Sequence, residues 1–501
     1  MIKNRYNTRF RARGQRIRWL VTVFFLITCF QNVPGMEVMT LDKALNYAFR
    51  NSPSIQEAGF SLEISERNLM AQQAGLKSQF NLTVTPYSYS SERVFNDLIS
   101  KYNTQKQTRT ETRLSITQPI KWTDGTLSIV ERFNWQESSS SYTGPEKKSF
   151  FSNSIFLTFN QPLFTYNRTK LQLQELELAL ENAQLNYAIQ KLVIESQVTQ
   201  QFLNLYSNRR SIQIAEQEYQ NADESYQIIK NKVDAGISAP GELYQADLTR
   251  ANSQASLENK QIQFQNALDG FKILIGLPLG VDMEIVTDIR KSLVEIDFAK
   301  AIEHGLSHRM ELRQRDINIQ NALNDLVEAA AENEFKASID VSFGLTGTNK
   351  NFSDIYTSPN TDRLIALSLN IPLFDWGRRK HRIAASNARV ETRKLSAREE
   401  KKQIEYEIRQ AYRNLQNQKT QIEIAEKNIV NAQLTYEINL ELYRSGDLSS
   451  KDLQFYQLQL SAQQLGEVEA LINYKVALLE LKIRTLWDFE KNVSIIEIKK
   501  K

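Results

Sequence analysis

The sequence predicts an α+β chain made of two structural repeats, each joining amphipathic strands to a very long helical hairpin. Three observations carry this. The stretch NQPLFTYNRTK (160–170) returns as NIPLFDWGRRK (370–380), and the register then holds without a gap: Pro162 with Pro372, Ile212 with Ile422, Tyr226 with Tyr436, Gly236 with Gly446, Phe264 with Tyr474, always 210 residues apart. A duplication of this length means two similar halves. Apolar or small residues recur every three and four positions over tens of residues. Elsewhere apolar and polar residues alternate strictly. With 17 Gly and 10 Pro in 501 residues, breakers are scarce, as long helices require.

Residues 1–35 hold Lys3 and six arginines, no acid, and the apolar run WLVTVFFLITCF from Trp19. A basic head and a short apolar run predict a secretory signal peptide, with cleavage after Gly35. Without its seven positive charges the chain falls from +4 to −3, which removes the support for a nucleic-acid partner. Cys29 is the single cysteine. It excludes a disulfide framework and leaves lipidation of Cys29 open. No later apolar run reaches the ~20 residues of a spanning helix, so a mature chain that enters a membrane must do so as a barrel.

The seam Ile194, Val198, Leu205, Ile212, Ala215, Tyr219, Ala222, Tyr226 and its copy Ile404, Ile408, Ala411, Leu415, Ile422, Ala425, Ile429, Ala432, Tyr436 have a 3.5-residue period. That period predicts left-handed coiled-coil packing. A helix from about 168 to 233 would be roughly 100 Å long at ~1.5 Å per residue. DAGISAPGEL (234–243) and RSGDLSSKDL (444–453) break the long helices with a Gly, with Ser soon after where a helix can restart. Each is read as a hairpin tip, followed by return helices of about 242–275 and 451–486. Shorter helices are expected over 53–77 and 310–336.

Strands are predicted where Phe80, Leu82 and Val84, or Ile155, Leu157 and Phe159, or Ile339, Val341 and Phe343, or Ile365, Leu367 and Leu369 share one face against small polar neighbours. This suits a barrel wall between lipid and water, or a soluble sandwich. Half one holds about 49 extra residues. Within them LSITQPIKW (114–122) copies the strand ending a third time, and Asp124-Gly125 is a hairpin signal. An inserted hairpin at about 110–137 follows. It either enlarges the barrel or lies outside the membrane, since Glu131 stands on its apolar face. After the last strand come Phe374, Trp376 and the cluster RRKHR (378–382), opened by Arg378. Aromatics followed by cations suit a membrane interface, or else a solvated basic face.

Catalytic signals are poor. GISAPG has nucleotide-loop glycine spacing, but Glu242 and Leu243 stand where Lys and Ser/Thr are needed. His304 and His308 are four apart, either a ligand pair without a third ligand or a solvated helix face. No enzyme, cofactor or metal is expected.

Taken together, the two halves resemble the TolC family of outer-membrane efflux ducts. The strand ending PLF with its aromatic and basic helix start carries the likeness, with the Gly tips and the opening helix TLDKALNYAFRNSPSIQEA (40–58), copied as DFAKAIEHGLSHRMELRQ (297–314). The resemblance implies a homotrimer: a β-barrel of twelve strands in outer-membrane lipid, continued by a periplasmic α-helical coiled-coil barrel. It implies a passive export duct coupled to a periplasmic adaptor (membrane fusion protein) and an inner-membrane pump of RND or ABC type. It places Glu242, Asp452 and Tyr443 at the periplasmic aperture, and Gly236 and Gly446 at adaptor-docking tips. A second acidic position of the family falls on Phe455, and the basic latch partner on Leu448. The domains expected are repeat 1 over 36–292, repeat 2 over 293–490 and a tail over 491–501. The other reading is an exported coiled-coil protein that tethers envelope layers.

Overall fold

A computed structural model describes residues 37–97, 100–141, 144–286, 291–445 and 447–495. The expected signal peptide, Cys29, Gly446 and the end of the tail lie outside the described residues. In chain order, β1 (Glu37–Met39) leads to α1 (Leu41–Asn51) and α2 (Pro53–Gly75), then to four strands: β2 (Gln79–Asn96), β3 (Lys101–Ile120), β4 (Gly125–Ser140) and β5 (Gly144–Leu163). The first long hairpin is α3 (Arg168–Asp234) and α4 (Pro240–Ile275). Then come β6 (Met283–Ile285), α5 (Phe298–His308), α6 (Met310–Ala331), β7 (Lys336–Asn349) and β8 (Asn360–Asn370). The second long hairpin is α7 (Arg378–Ser445) and α8 (Ser450–Thr485), followed by the short strands β9 (Trp487–Asp488) and β10 (Val493–Ser494). The hairpins match in size: α3 and α7 have 67 and 68 residues, α4 and α8 have 36 each.

The chain divides into two compact units. The first holds the described residues up to Gln56 with 191–296 and 411–483. It is helical apart from β1 and β6, which pair in parallel. The 3.5-residue seam is its core: Ile194, Val198, Leu205, Ala215, Ala222, Ala411, Leu415, Ile422 and Ala432 are buried. Leu203 of α3 packs with Val468 and Ile472 of α8. Phe202 and Phe271 meet at 6.1 Å between ring centres. Lys482 and Glu195 close an ion pair of 2.9 Å beside this core.

The second unit, 57–190, 297–410 and the described residues from Arg484, contains a six-stranded antiparallel sheet in the order β2-β3-β4-β5-β7-β8 and the short antiparallel pair β9-β10. Alternation dictates the faces of the six-stranded sheet. One register row reads Phe80, Ile116, Ile129, Leu157, Phe343, and another Phe159, Val341, Ile365, both on one face. The other face reads Thr83, Arg113, Arg132, Ser154, Thr346. The apolar face also carries Glu131 and Arg363. The turn between β3 and β4 is tied to α3: Asp124 accepts hydrogen bonds from the N–H and hydroxyl of Thr169, at 3.1 and 2.6 Å. Asn167 donates to the Lys121 carbonyl at 2.8 Å. In the helical part, buried Arg309 holds Glu311 at 2.7 Å, and Arg309 and Arg484 share Glu407 at 3.4 and 2.5 Å. Among the described residues, no helix is long and apolar enough to cross a membrane.

Candidate functional site

The first hairpin turn is built by its hydrogen bonds. The N–H of Ile237 donates to the Lys232 carbonyl at 2.8 Å, and that of Gly236 to Val233 at 2.9 Å. This pair of bonds, six-to-one and five-to-two, closes a helix only when the residue between is left-handed. Gly236 has φ +73°. Ala239 is the extended N-cap of α4 and Pro240 follows in its first turn, where a missing N–H costs nothing. At the second turn, the Asp447 N–H makes the equivalent bond to the Leu442 carbonyl, at 2.9 Å.

Glu242 and Asp452 are each the third residue of a return helix, and both are exposed. The Ser238 hydroxyl donates to Glu242, and the Ser449 hydroxyl donates to Asp452 at 2.7 Å. The Asp452 N–H returns a bond to the Ser449 hydroxyl at 3.2 Å. Both carboxylates therefore face the positive end of a helix dipole. Phe455, at the family's second acidic position, is 63% exposed and lies edge-on to Tyr456 at 5.5 Å. Leu448 is half-buried.

Tyr443 is buried. Its hydroxyl lies 3.3 Å from that of Ser225, which joins α7 to α3, and Lys232 stands 5.6 Å from its ring centre. Tyr443 lines a cleft of about 290 Å³ between the two hairpins, with Tyr436, Thr249, Gln454 and Leu453. Thr249 donates to Gln454 across it at 3.4 Å. Burial and then the charge of Glu224 push the Tyr436 hydroxyl pKa up. Sequence reasoning missed Ser225, because its partner is 218 residues away and no local motif marks it.

At the sheet, Phe374 and Trp376 meet edge to face at 4.7 Å and are strongly exposed, as is Trp122 in the β3–β4 turn. Asp375 accepts from the N–H groups of Gly377 and Arg379, both at 2.9 Å. The Arg379 bond, with the others, holds its carboxyl below the usual range. Arg378 pairs with Glu332 at 2.7 Å, and Arg382 pairs with the same carboxylate. The basic cluster is thus partly neutralised. His304 and His308 stack at 5.1 Å, and His304 packs on Trp487 at 4.2 Å. Burial lowers the His304 pKa. Among the described residues no three metal-binding side chains gather.

The outer membrane efflux protein family matches residues 44–277 and 301–483. The chain belongs to this family. As an outer membrane efflux protein it is a transport duct of the outer membrane and not an enzyme. Its fold is similar to that of the CmeC outer membrane channel of Campylobacter jejuni, with a TM-score of 0.68, 14% identity, and 89% of this chain and 85% of that one covered. VceC of Vibrio cholerae matches with a TM-score of 0.66 and 15% identity over 89% of this chain and 95% of its own. The open-state MtrE channel of Neisseria gonorrhoeae matches with a TM-score of 0.65 and 12% identity over 89% and 88%. At these identities the likeness is one of fold. No curated protein matches the chain.

Proposed function

We propose that three copies of this efflux protein close their sheets into one outer-membrane barrel and their helical hairpins into one periplasmic tunnel. The result is a passive export duct. Each chain supplies two repeats, 36–292 and 293–490. Cargo enters from an inner-membrane pump of RND or ABC type through a periplasmic adaptor that meets the turns at Gly236 and Gly446. The pump supplies the energy.

The sheet carries this reading. Its apolar face is exposed, with Phe80, Leu82, Leu157, Phe343 and Ile365 all open to the surroundings. Among the described residues its ends, β2 and β8, each pair with one strand only. In lipid an unpaired strand edge leaves backbone groups without partners, so a spanning sheet must close. Six strands are fewer than the ~8 of the smallest closed membrane barrels, whereas three copies give eighteen. From Gly125 to Trp135 is ten steps of β4. That is roughly 33 Å of strand at ~3.3 Å per residue, or roughly 25 Å of membrane at a tilt of ~40°, the height of an outer-membrane apolar band. Trp122 and Trp135 mark its two rims. Glu242 and Asp452 then ring the resting entrance, with Tyr443 clasping one hairpin to the other behind them.

The test is the purified protein in detergent. The expected result is a heat-sensitive trimer whose structure shows an eighteen-stranded barrel. A monomer with an open sheet refutes the duct. A twelve-stranded trimer keeps the duct but removes β3 and β4 from its wall.

A further inference from the structure

The polar face of β3 and β4 holds a charge cluster without counterpart on β7 and β8. Arg109, Glu111 and Arg113 alternate along β3, so all three share a face, and Arg132 stands opposite Arg113 in register on β4. Glu111 is at the centre. Its oxygens lie 3.0 Å from Arg109, 2.9 Å from Arg113 and 3.5 Å from Arg132. Its side chain is only 16% exposed, whereas the three arginine side chains are 37, 45 and 44% exposed. Asn134, opposite Glu111 and buried, accepts the Arg109 Nε–H at 2.7 Å and donates to Ser152 at 3.3 Å. The arginines are therefore held in place while their outer surface stays open.

One carboxylate cannot balance three guanidiniums. Like charges directly across a strand pair, as in Arg113 and Arg132, oppose pairing. The surrounding same-face residues Thr83, Thr85, Ser115, Ser152 and Ser154 are uncharged. Other carboxylates on this face are distant or engaged. Glu92 stands opposite Gln105, four residues along β3 from Arg109, roughly 13 Å away at ~3.3 Å per residue. Asp340 is bound by Asn160 and lies six residues along β7 from the row of Arg132, roughly 20 Å away at ~3.3 Å per residue. Asp362 accepts from Thr346 at 2.8 Å, three strands from Arg132. The cluster thus keeps a net positive charge and unused planar forks, the arrangement that grips oxyanions through paired N–H groups.

We propose that Arg109, Arg113 and Arg132 form a binding site for multiply charged oxyanions, phosphate-like groups above all, on the inner wall of the duct. This rests on the reading above, in which the polar face lines the lumen. Threefold repetition sets the clusters at one height, as a basic ring that selects anionic cargo at the outer part of the channel. Glu111 is a positioning residue that gathers the guanidiniums and sets the strength of the ring.

The full-length trimer is placed in a planar bilayer of neutral phosphatidylcholine, and sodium tripolyphosphate is added on the outer-face side. The wild type is expected to be blocked in a concentration-dependent way. R113Q/R132Q is expected to need about tenfold more tripolyphosphate, R113K/R132K to keep most of the block through retained charge, and E111Q to be blocked at lower concentration. If the double glutamine variant forms no channels, R132Q alone, which removes the longest contact to Glu111, gives the same comparison. Equal block of wild type and glutamine variant overturns the site. A wild type that forms no channels overturns the duct reading, and the site with it.

Discussion

Gly236→Val isolates the hairpin turn as a functional surface. Gly236 has φ +73°, and nothing lies within 4 Å of a Cβ added there. The substitution therefore meets no neighbour, and its whole cost is in the backbone. Holding an L-residue left-handed costs about 1–2 kcal/mol, more for a β-branched side chain. That is a factor of about 5–30 in the population of the closed turn. Hydrogen exchange of the trimer in detergent should show faster exchange by this factor at Ile237 and Ser238, whose N–H groups bond Lys232. Gly236→Asn, which tolerates the left-handed region, should stay near wild type. If the adaptor docks on this turn as proposed, the Val variant should insert normally in cells and lose export, because the docking surface is less often formed. The duplicate change Gly446→Val should do the same. Normal export by both Val variants would refute the docking role. Unchanged exchange at Ile237 would refute the strain argument itself.

If Glu242 and Asp452 ring the entrance as proposed, Glu242→Gln with Asp452→Asn should lower cation selectivity and weaken block by multivalent cations from the periplasmic side; if neither changes, the carboxylates serve only the helix N-termini, at about 0.3–1 kcal/mol each. Tyr443→Phe removes the contact with the Ser225 hydroxyl. Resting conductance should rise, Ser225→Ala should act alike, and the double variant should add little; independent, additive effects would exclude the clasp. Arg309→Met leaves Glu311 without its main cation and should cost about 3–5 kcal/mol, read as a fall in thermal midpoint. Burial raises the Glu311 pKa, but the hydrogen bonds and charge of Arg309 outweigh it and hold it below its ordinary 4.5. Its contribution is therefore present above pH 4.5 and lost as pH falls through the lower folded value. Glu311→Gln should flatten the acid limb of the stability profile, and an unchanged limb would count against the pairing.

The long helices were legible almost to the residue, 168–233 against Arg168–Asp234, because a seam repeated over nine positions leaves one solution. The first hairpin turn was legible because a left-handed helix stop needs Gly, and Gly236 has φ +73°. The inserted hairpin was expected from about 110, yet β3 begins at Lys101. Residues 101–110, KYNTQKQTRT, have no apolar alternation; pairing with β2 makes them a strand, and that partner is not written locally. The two- and three-residue strands β1, β6, β9 and β10 exist only through their partners. The Arg378 guanidinium is free when read along the chain and paired in space, since Glu332 lies 46 positions earlier. The polar-face cluster has a local signal, the alternation R-T-E-T-R at 109–113, but its cross-strand members Arg132 and Asn134 are set only by the pairing of β3 with β4.

The order of the sheet has a consequence for how the chain comes together. Strands β2 to β5 follow one another as a meander, with connections of a few residues. Contacts so local form early. The join between β5 and β7 is different: Asn160 and Asp340 meet across 180 residues. Between those partners lie the whole of α3 and α4 and the helices α5 and α6. The first four strands of the sheet can pair through local contacts, while their far edge waits for a partner strand that lies beyond the entire first helical hairpin. A single late seam, and not five equally gradual pairings, therefore decides when the sheet is finished. Destabilising changes along Phe159–Val341 should slow its completion far more than equal changes along Ile116–Ile129.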